Sequence, residues 1–67
     1  MELGYLVISK LIHCKNGKLQ RRTIHAEYQI SHARACEIAN CYKRSFRNQD
    51  RKLEDYIFIY QPYADSL

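Results

Sequence analysis

An Asn-Gly dipeptide between two strand-like segments is the feature that most constrains the fold of this chain. The segment from Gly4 to His13 is rich in β-branched and aromatic residues and is apolar at both alternating sets of positions, as is typical of a central strand. Asn16-Gly17 favours a two-residue hairpin turn, in which both residues need positive φ. A second strand is then predicted from Leu19 to Tyr28, so that residues 4–28 form a β-hairpin.

A two-residue turn also predicts the register of this hairpin. The predicted pairs are Tyr5 with Tyr28, Val7 with Ala26 and Ser9 with Ile24 on one face, and Ile8 with His25 and Ile12 with Arg21 on the other. The same register places Arg21, Thr23 and His25 on the face opposite to Ile24, Ala26 and Tyr28. It does not decide which of the two faces a helix would cover.

The second half of the chain predicts one helix and one further strand. Ser31 is a favourable N-cap, and apolar residues at helical spacing predict a helix from His32 to Arg47. A third strand is predicted from Tyr56 to Tyr60, ended by Pro62, and residues 61–67 are predicted to be a frayed tail.

This β-β-α-β order predicts an α+β fold for a single small domain of residues 1–67. A right-handed crossover from the second strand through the helix leaves the first strand in the middle. The predicted sheet is three-stranded and antiparallel, in the order 2-1-3, with the helix packed on one face. The second strand is then an edge strand whose free backbone groups can pair with a partner.

Positive charge is concentrated in the hairpin of this basic chain, whose formal net charge is +4. Five cations and no acid lie between Lys10 and Arg22. The candidate binding residues form a hairpin group (Lys15, Lys18, Arg21 and Arg22) and a helix-end group (Arg44, Arg47, Arg51 and Lys52). Cations at a helix C-terminus also offset the macrodipole, and a basic surface also aids solubility, so the hairpin group is the stronger indication of an anionic partner.

No residue pattern indicates catalysis or a bound cofactor. No Ser-His-Asp set or glycine-rich phosphate loop is present, and a chain this short has little room for a pocket. His32, Cys36 and Cys41 supply only part of a zinc site, and an odd number of cysteines favours a reducing compartment. We expect a non-enzymatic cytoplasmic protein without metal or cofactor. The apolar run from Leu3 to Ile12 is too short to span a membrane.

Six tyrosines offer a further surface for recognition. Tyrosine suits base stacking and protein interfaces. Most of these rings are nevertheless expected to pack in or beside the core.

Two protein classes share this layout. Arm-type DNA-binding domains of phage integrases also pack one helix on a three-stranded sheet. The opening Gly4-Tyr5-Leu6-Val7-Ile8, the strand end Ile24-His25-Ala26, the helix Ala33-x-Ala35-x-x-Ile38-Ala39 and the late Tyr56 resemble small phage anti-CRISPR proteins over about half the chain. That resemblance implies a non-catalytic protein that occupies the nucleic-acid channel of a host complex, in the host cytoplasm, and it assigns no functional residue.

The sequence thus predicts a small basic binding protein of phage or mobile-element type. It would engage nucleic acid, or block a host complex that handles nucleic acid, as a monomer or weak homodimer. The alternatives are an inhibitor or antitoxin-like partner that pairs its edge strand with an acidic protein surface, and an arm-type DNA-binding module.

Overall fold

A computed structural model describes residues 2–63 of the chain, which form three strands, one α-helix and one short 3₁₀ turn. The elements are β1 (Gly4–His13), β2 (Leu19–Ile30), α1 (His32–Asn48), the 3₁₀ turn (Leu53–Asp55) and β3 (Tyr56–Pro62). Both β2 and β3 pair antiparallel with β1, in the order β2-β1-β3. The predicted α+β class and strand order are confirmed.

The hairpin turn is one residue longer than the sequence predicts. The Gly17 N–H donates to Cys14 O at 3.0 Å and the Cys14 N–H donates to Lys18 O at 2.9 Å, which leaves a three-residue loop from Lys15 to Gly17. Gly17 has a φ of 81°, whereas Asn16 does not have positive φ. The Asn16 side chain instead accepts a hydrogen bond from the Lys18 N–H at 3.2 Å. The predicted two-residue turn is therefore wrong.

A second one-residue irregularity, a bulge at Ile24, compensates for the longer turn. Ile8 pairs with His25 and Ser9 with Thr23, so Ile24 has no partner on β1. Between the bulge and the end of β2 the predicted pairs Tyr5–Tyr28, Val7–Ala26 and Ile8–His25 are confirmed. Between the bulge and the turn the predicted pairs Ser9–Ile24 and Ile12–Arg21 are wrong, because Ser9 lies opposite Thr23 and Ile12 opposite Gln20.

The bulge also changes which residues of β2 share a face. Arg21 lies opposite Leu11 and therefore on the face of β1 that carries Tyr5 and Val7. Thr23 lies on this face too, so the predicted grouping of Arg21 and Thr23 with His25 is wrong. The physical reason is that one extra residue reverses the alternation of a strand at the bulge.

The core lies between α1 and one face of the sheet. Leu6 and Ile8 of the central strand are 2% and 0% exposed, and they pack against Ala35 of α1. Burial of two such aliphatic side chains contributes about 1.5–3 kcal/mol each. Around this centre pack the partly buried side chains of Ile30, Ile38, Tyr42, Phe58 and Tyr60. The helix therefore covers the Leu6 and Ile8 face and leaves the Tyr5 and Val7 face uncovered among the described residues.

Both ends of α1 are closed by hydrogen bonds, which fix where the basic C-terminal turn lies. The Ser31 hydroxyl accepts a bond from the first turn at 3.2 Å, which confirms the predicted N-cap. At the C-terminus Asp50 has a φ of 58°, and the Arg51 N–H donates back to Phe46 O at 2.8 Å. This is the hydrogen-bond pattern of a Schellman motif, and it turns the chain sharply towards β3.

Strand β3 extends further than the sequence predicts. It includes Gln61 and Pro62, and the next residue, Tyr63, donates its N–H to Leu3 O at 2.9 Å. Since neighbouring residues alternate, the backbone of Pro62 points away from β1, where a missing N–H breaks no ladder bond. The predicted tail of residues 61–67 thus begins inside β3, and residues 64–67 lie outside the described part. Within residues 2–63 there is no helix of the length and hydropathy needed to cross a membrane.

Candidate functional site

The end of the β1–β2 hairpin projects beyond the rest of the sheet. Strand β3 pairs with β1 only as far as Lys10, which lies opposite Tyr56. Residues 11–21, here called the hairpin arm, are therefore two-stranded. At about 3.3 Å per residue the three β1 residues past Lys10 extend about 10 Å before the loop begins.

The four residues of the hairpin group are exposed, at the arm and its base. They are Lys15, Lys18, Arg21 and Arg22. No acid occurs in the sequence between Glu2 and Glu27. Within residues 2–63 the ion pairs shorter than 4.0 Å join Arg34 to Glu37 and His25 to Glu27, and neither pair involves the hairpin group. The charge of the arm is therefore uncompensated by any described carboxylate at contact distance.

The arginines at the base of the arm point to opposite faces. Arg22 lies opposite Lys10, on the side of the sheet that carries α1 further along. Arg21 lies on the uncovered face, next to Thr23 and the residues around Tyr5. An elongated anion bound along one face of the hairpin would contact only one of these arginines. A nucleic acid groove that encloses the arm would contact both.

Part of the helix-end group lies at the same end of the sheet as the arm. Arg51 and Lys52 line an open depression of about 400 Å³ together with Lys10. Asp50 and Asp55 line it too, so the local charge is partly offset. The other two members, Arg44 and Arg47, are exposed on α1 and do not line this depression. The structure thus brings Lys10, which lies outside both predicted groups, beside two predicted binding residues.

Arg51 also has a structural role in the described fold. Its Nη1 donates to Tyr56 Oη at 2.8 Å, and its guanidinium lies 5.8 Å from the centre of the Phe46 ring. Phe46 and Tyr56 stack with centroids 4.1 Å apart and are both buried. Arg51 therefore covers an aromatic pair that joins α1 to β3.

The uncovered sheet face carries three neighbouring tyrosines, of which Tyr5 and Tyr28 were expected to pack in or beside the core and Tyr63 to belong to a frayed tail. The ring of Tyr5 lies 6.1 Å from that of Tyr28 and 6.0 Å from that of Tyr63, measured between centroids. Tyr28 is 65% exposed and Tyr63 is 40% exposed. The predicted pairing of Tyr5 with Tyr28 already places two rings on one face. The sequence does not indicate that α1 covers the opposite face, which carries Leu6 and Ile8.

A shallow depression of about 400 Å³ lies beside these tyrosines. It is lined by Tyr5, Val7, Ser9, Arg21, Thr23 and Ile59. Its lining is therefore apolar and hydroxylic, with one cation and no carboxylate. Such a surface combines flat rings, hydrogen-bonding hydroxyls and positive charge.

His25 makes its side-chain contacts within the fold. Its Nδ1 lies 3.0 Å from Tyr42 Oη, and the two rings pack with centroids 5.2 Å apart. Its Nε2 is enclosed and lies 3.4 Å from a Glu27 carboxylate oxygen, without hydrogen-bond geometry. His25 thus helps to attach α1 to β2.

The candidate zinc ligands His32, Cys36 and Cys41 do not form a complete metal site among the described residues. The Cys36 Sγ lies 3.7 Å from His32 Nε2, as expected for residues one helical turn apart. Cys36 and Cys41 are exposed thiols. In residues 2–63 no group of three or more histidines, cysteines or carboxylates is placed to hold a metal ion.

No protein-family model, curated protein or solved structure matches this chain. The fold and the two surfaces described above therefore carry the functional argument.

Proposed function

We propose that this protein is a small non-catalytic module that binds nucleic acid through its basic hairpin arm. The observation that carries the proposal is the projecting arm, with the exposed hairpin group and no described carboxylate in contact with it. Uncompensated cations on a projecting element are the surface that a phosphate backbone attracts, because binding releases its condensed counterions.

The shape of the arm supports the same proposal. A two-stranded ribbon is narrow enough to enter the major groove of a duplex, and it can also lie along a single strand. Arg21 and Arg22 at its base can bind two phosphates from opposite faces. Lys10, Arg51 and Lys52 continue the positive surface beyond the base of the arm on the side of α1, where Asp50 and Asp55 weaken it.

The test compares two double variants with the same loss of charge. Arg21→Ala with Arg22→Ala removes two cations from the hairpin group, and Arg44→Ala with Arg47→Ala removes two from α1. Binding to labelled single-stranded and duplex probes is measured by electrophoretic shift and fluorescence anisotropy over a range of salt concentrations. We expect the hairpin variant to weaken binding more and to lower the slope of log K against log salt by about 1.4–1.8, since each lost phosphate contact contributes about 0.7–0.9.

Two results would contradict this proposal. Absence of binding to every probe at low salt would remove direct contact with nucleic acid. An equal loss in the two double variants would show that binding depends on total charge and not on the arm. Circular dichroism of each variant controls for folding, and none of the four arginines forms a described ion pair that its removal would break.

The free edge of β2 favours a second candidate, a protein that inhibits a host complex by strand pairing. Strand β2 has twelve residues, and β1 pairs with only one of its edges. The bulge at Ile24 interrupts this edge, which shortens the regular stretch available to a partner strand. A partner that stays bound from host lysate after complete nuclease digestion would support this candidate over the first.

A further inference from the structure

We propose that the uncovered sheet face binds the unstacked bases of a single-stranded nucleic acid, with Tyr28, Tyr5 and Tyr63 as the stacking platform. Arg21, on the same face, would hold the backbone of that strand. This inference rests on the proposed function and specifies its substrate: a single strand, held by the uncovered face as well as by the hairpin arm.

The three rings are contiguous on this face, with Tyr5 next to both of the others. Tyr28 lies on β2, Tyr5 on the central strand and Tyr63 just after β3, with neighbouring centroids 6.0 to 6.1 Å apart. Each ring is accessible to some degree, and Tyr28 is the most exposed. Stacking on such rings tolerates any base, because every base has a π face.

These rings are held in place before any ligand binds. The Tyr63 hydroxyl accepts a hydrogen bond from the Gln29 N–H at 3.2 Å, while the Tyr63 N–H donates to Leu3 O at 2.9 Å. Tyr63 therefore bridges from the β3 side of the sheet to β2 beside Tyr5. Less conformational freedom is lost on binding when the contacting rings are already ordered.

The charge and hydrogen-bonding character of the face fit a nucleic acid strand. By strand register the described residues on this face are Tyr5, Val7, Ser9, Leu11, His13, Leu19, Arg21, Thr23, Ala26, Tyr28, Ile57, Ile59 and Gln61, and Tyr63 follows them just after β3; none of these residues is an acid. The exposed Thr23 hydroxyl can both donate to and accept from base edges. Arg21 lies beside it, where it can reach a phosphate.

The geometry favours a single strand over a duplex. Neighbouring strands are about 4.8 Å apart, so the three-stranded face is about 10 Å wide between its outer strands. That width accommodates one strand with splayed bases. In a duplex the base faces are already stacked on each other and are not available to tyrosine rings.

The test measures separately how the Tyr28 ring and the Arg21 charge contribute to binding affinity. The probes are a labelled oligothymidylate of about 12 nucleotides, within the usual range for a single small domain, and a duplex of the same length. The variants are Tyr28→Ala, its matched control Tyr28→Phe, and Arg21→Ala. Tyr28 is 65% exposed, so its replacement leaves the core intact, and circular dichroism checks this.

We expect the single strand to bind more tightly than the duplex at equal salt. Tyr28→Ala should weaken single-strand binding about 5- to 150-fold, which corresponds to the worth of one base–aromatic stack. Tyr28→Phe should bind like the native protein. Arg21→Ala should lower the salt slope by about 0.7, whereas Tyr28→Ala should leave the slope unchanged.

The possible failures are distinguishable. Equal binding of both probes, with no effect of Tyr28→Ala but a loss in the Arg21 and Arg22 variant, would overturn this inference and leave the proposed function standing. Absence of binding to both probes would overturn both. If Tyr28→Ala leaves affinity unchanged but converts a dimer into a monomer in light scattering, the face is an interface between two copies and the inference is wrong.

Discussion

Replacement of Arg51 by alanine should destabilise the fold although the residue is exposed. The native side chain donates a hydrogen bond to Tyr56 Oη at 2.8 Å and lies over the Phe46 ring at 5.8 Å. A hydrogen bond from a charged donor contributes about 1.5–3 kcal/mol, and partial exposure reduces it to about 1 kcal/mol here. The cation–π contact adds about 0.5–1 kcal/mol. The expected loss is therefore about 1.5–2 kcal/mol.

Thermal and urea unfolding followed by circular dichroism measure this loss. In a domain of this size each 1 kcal/mol lowers the melting temperature by about 4–8 °C, so the shift should be about 6–16 °C. Arg47→Ala is the matched control, because Arg47 is an exposed arginine at the end of α1 without a described side-chain partner. Its replacement should change stability by no more than about 0.5 kcal/mol.

A double-mutant cycle with Tyr56→Phe isolates the hydrogen bond. The phenylalanine keeps the stack on Phe46, which has centroids 4.1 Å apart, and removes only the hydroxyl. The coupling energy between the two substitutions should exceed about 0.5 kcal/mol. A coupling near zero, or equal stabilities of the Arg51 and Arg47 variants, would refute the structural role. The result also decides whether Arg51→Ala can serve as a binding probe, since a destabilised variant weakens binding indirectly.

Two further predictions concern a close approach at Gly4 and the partly buried phenol of Tyr60. A Cβ added at Gly4 would lie 2.7 Å from both Pro62 Cα and Tyr60 Oη, so Gly4→Ala should cost about 2 kcal/mol or more in urea unfolding. In the control Gly17→Ala the added Cβ meets no neighbour, so only the backbone strain of a φ of 81° should reduce the free energy of unfolding, by about 1 kcal/mol. Equal losses of stability in the two variants would contradict the packing argument. Burial raises the pKa of Tyr60, with neighbouring acidic groups adding to it, and the hydroxyl donates to Ile30 O at 3.1 Å. The folded state then holds this proton more tightly, so its contribution to stability is fully present below the pKa of the unfolded state and is lost as the pH rises through the pKa of the folded state. Above about pH 10 the free energy of unfolding of the native protein should therefore fall more steeply with pH than that of Tyr60→Phe. Parallel curves for the two proteins would show that Tyr60 does not contribute.

The elements of the fold follow from local patterns, which is why the sequence predicts them well. The N-cap at Ser31 and the apolar stripe from Ala35 to Phe46 define α1 to within one residue at its end. The strand order follows from the handedness of the crossover, which depends on element order and not on side chains. The part that failed is the register near the turn, where single residues matter.

Two one-residue irregularities explain that failure. The sequence Asn16-Gly17 is compatible with either a two- or a three-residue loop, because a three-residue loop also needs a left-handed glycine at its last position. No residue type marks Ile24 as a bulge, since isoleucine is favoured in regular strands. The longer loop and the bulge shift the register in opposite senses. The pairs around Tyr5 were therefore predicted correctly although the turn was not.

The same bulge decides how the two proposed contacts relate to each other. With the predicted two-residue turn and a regular β2, Arg21 would lie on the face that α1 covers further along, away from Tyr5 and Tyr28. The longer loop places Arg21 opposite Leu11, and the bulge at Ile24 keeps Tyr28 opposite Tyr5, so Arg21 and both tyrosines share one face while Arg22 lies opposite Lys10. A duplex that surrounds the arm would contact both arginines, so their single replacements should then weaken binding alike. A single strand on the tyrosine face would contact Arg21 first, and an unequal effect of the two single replacements follows from this alternation of side chains.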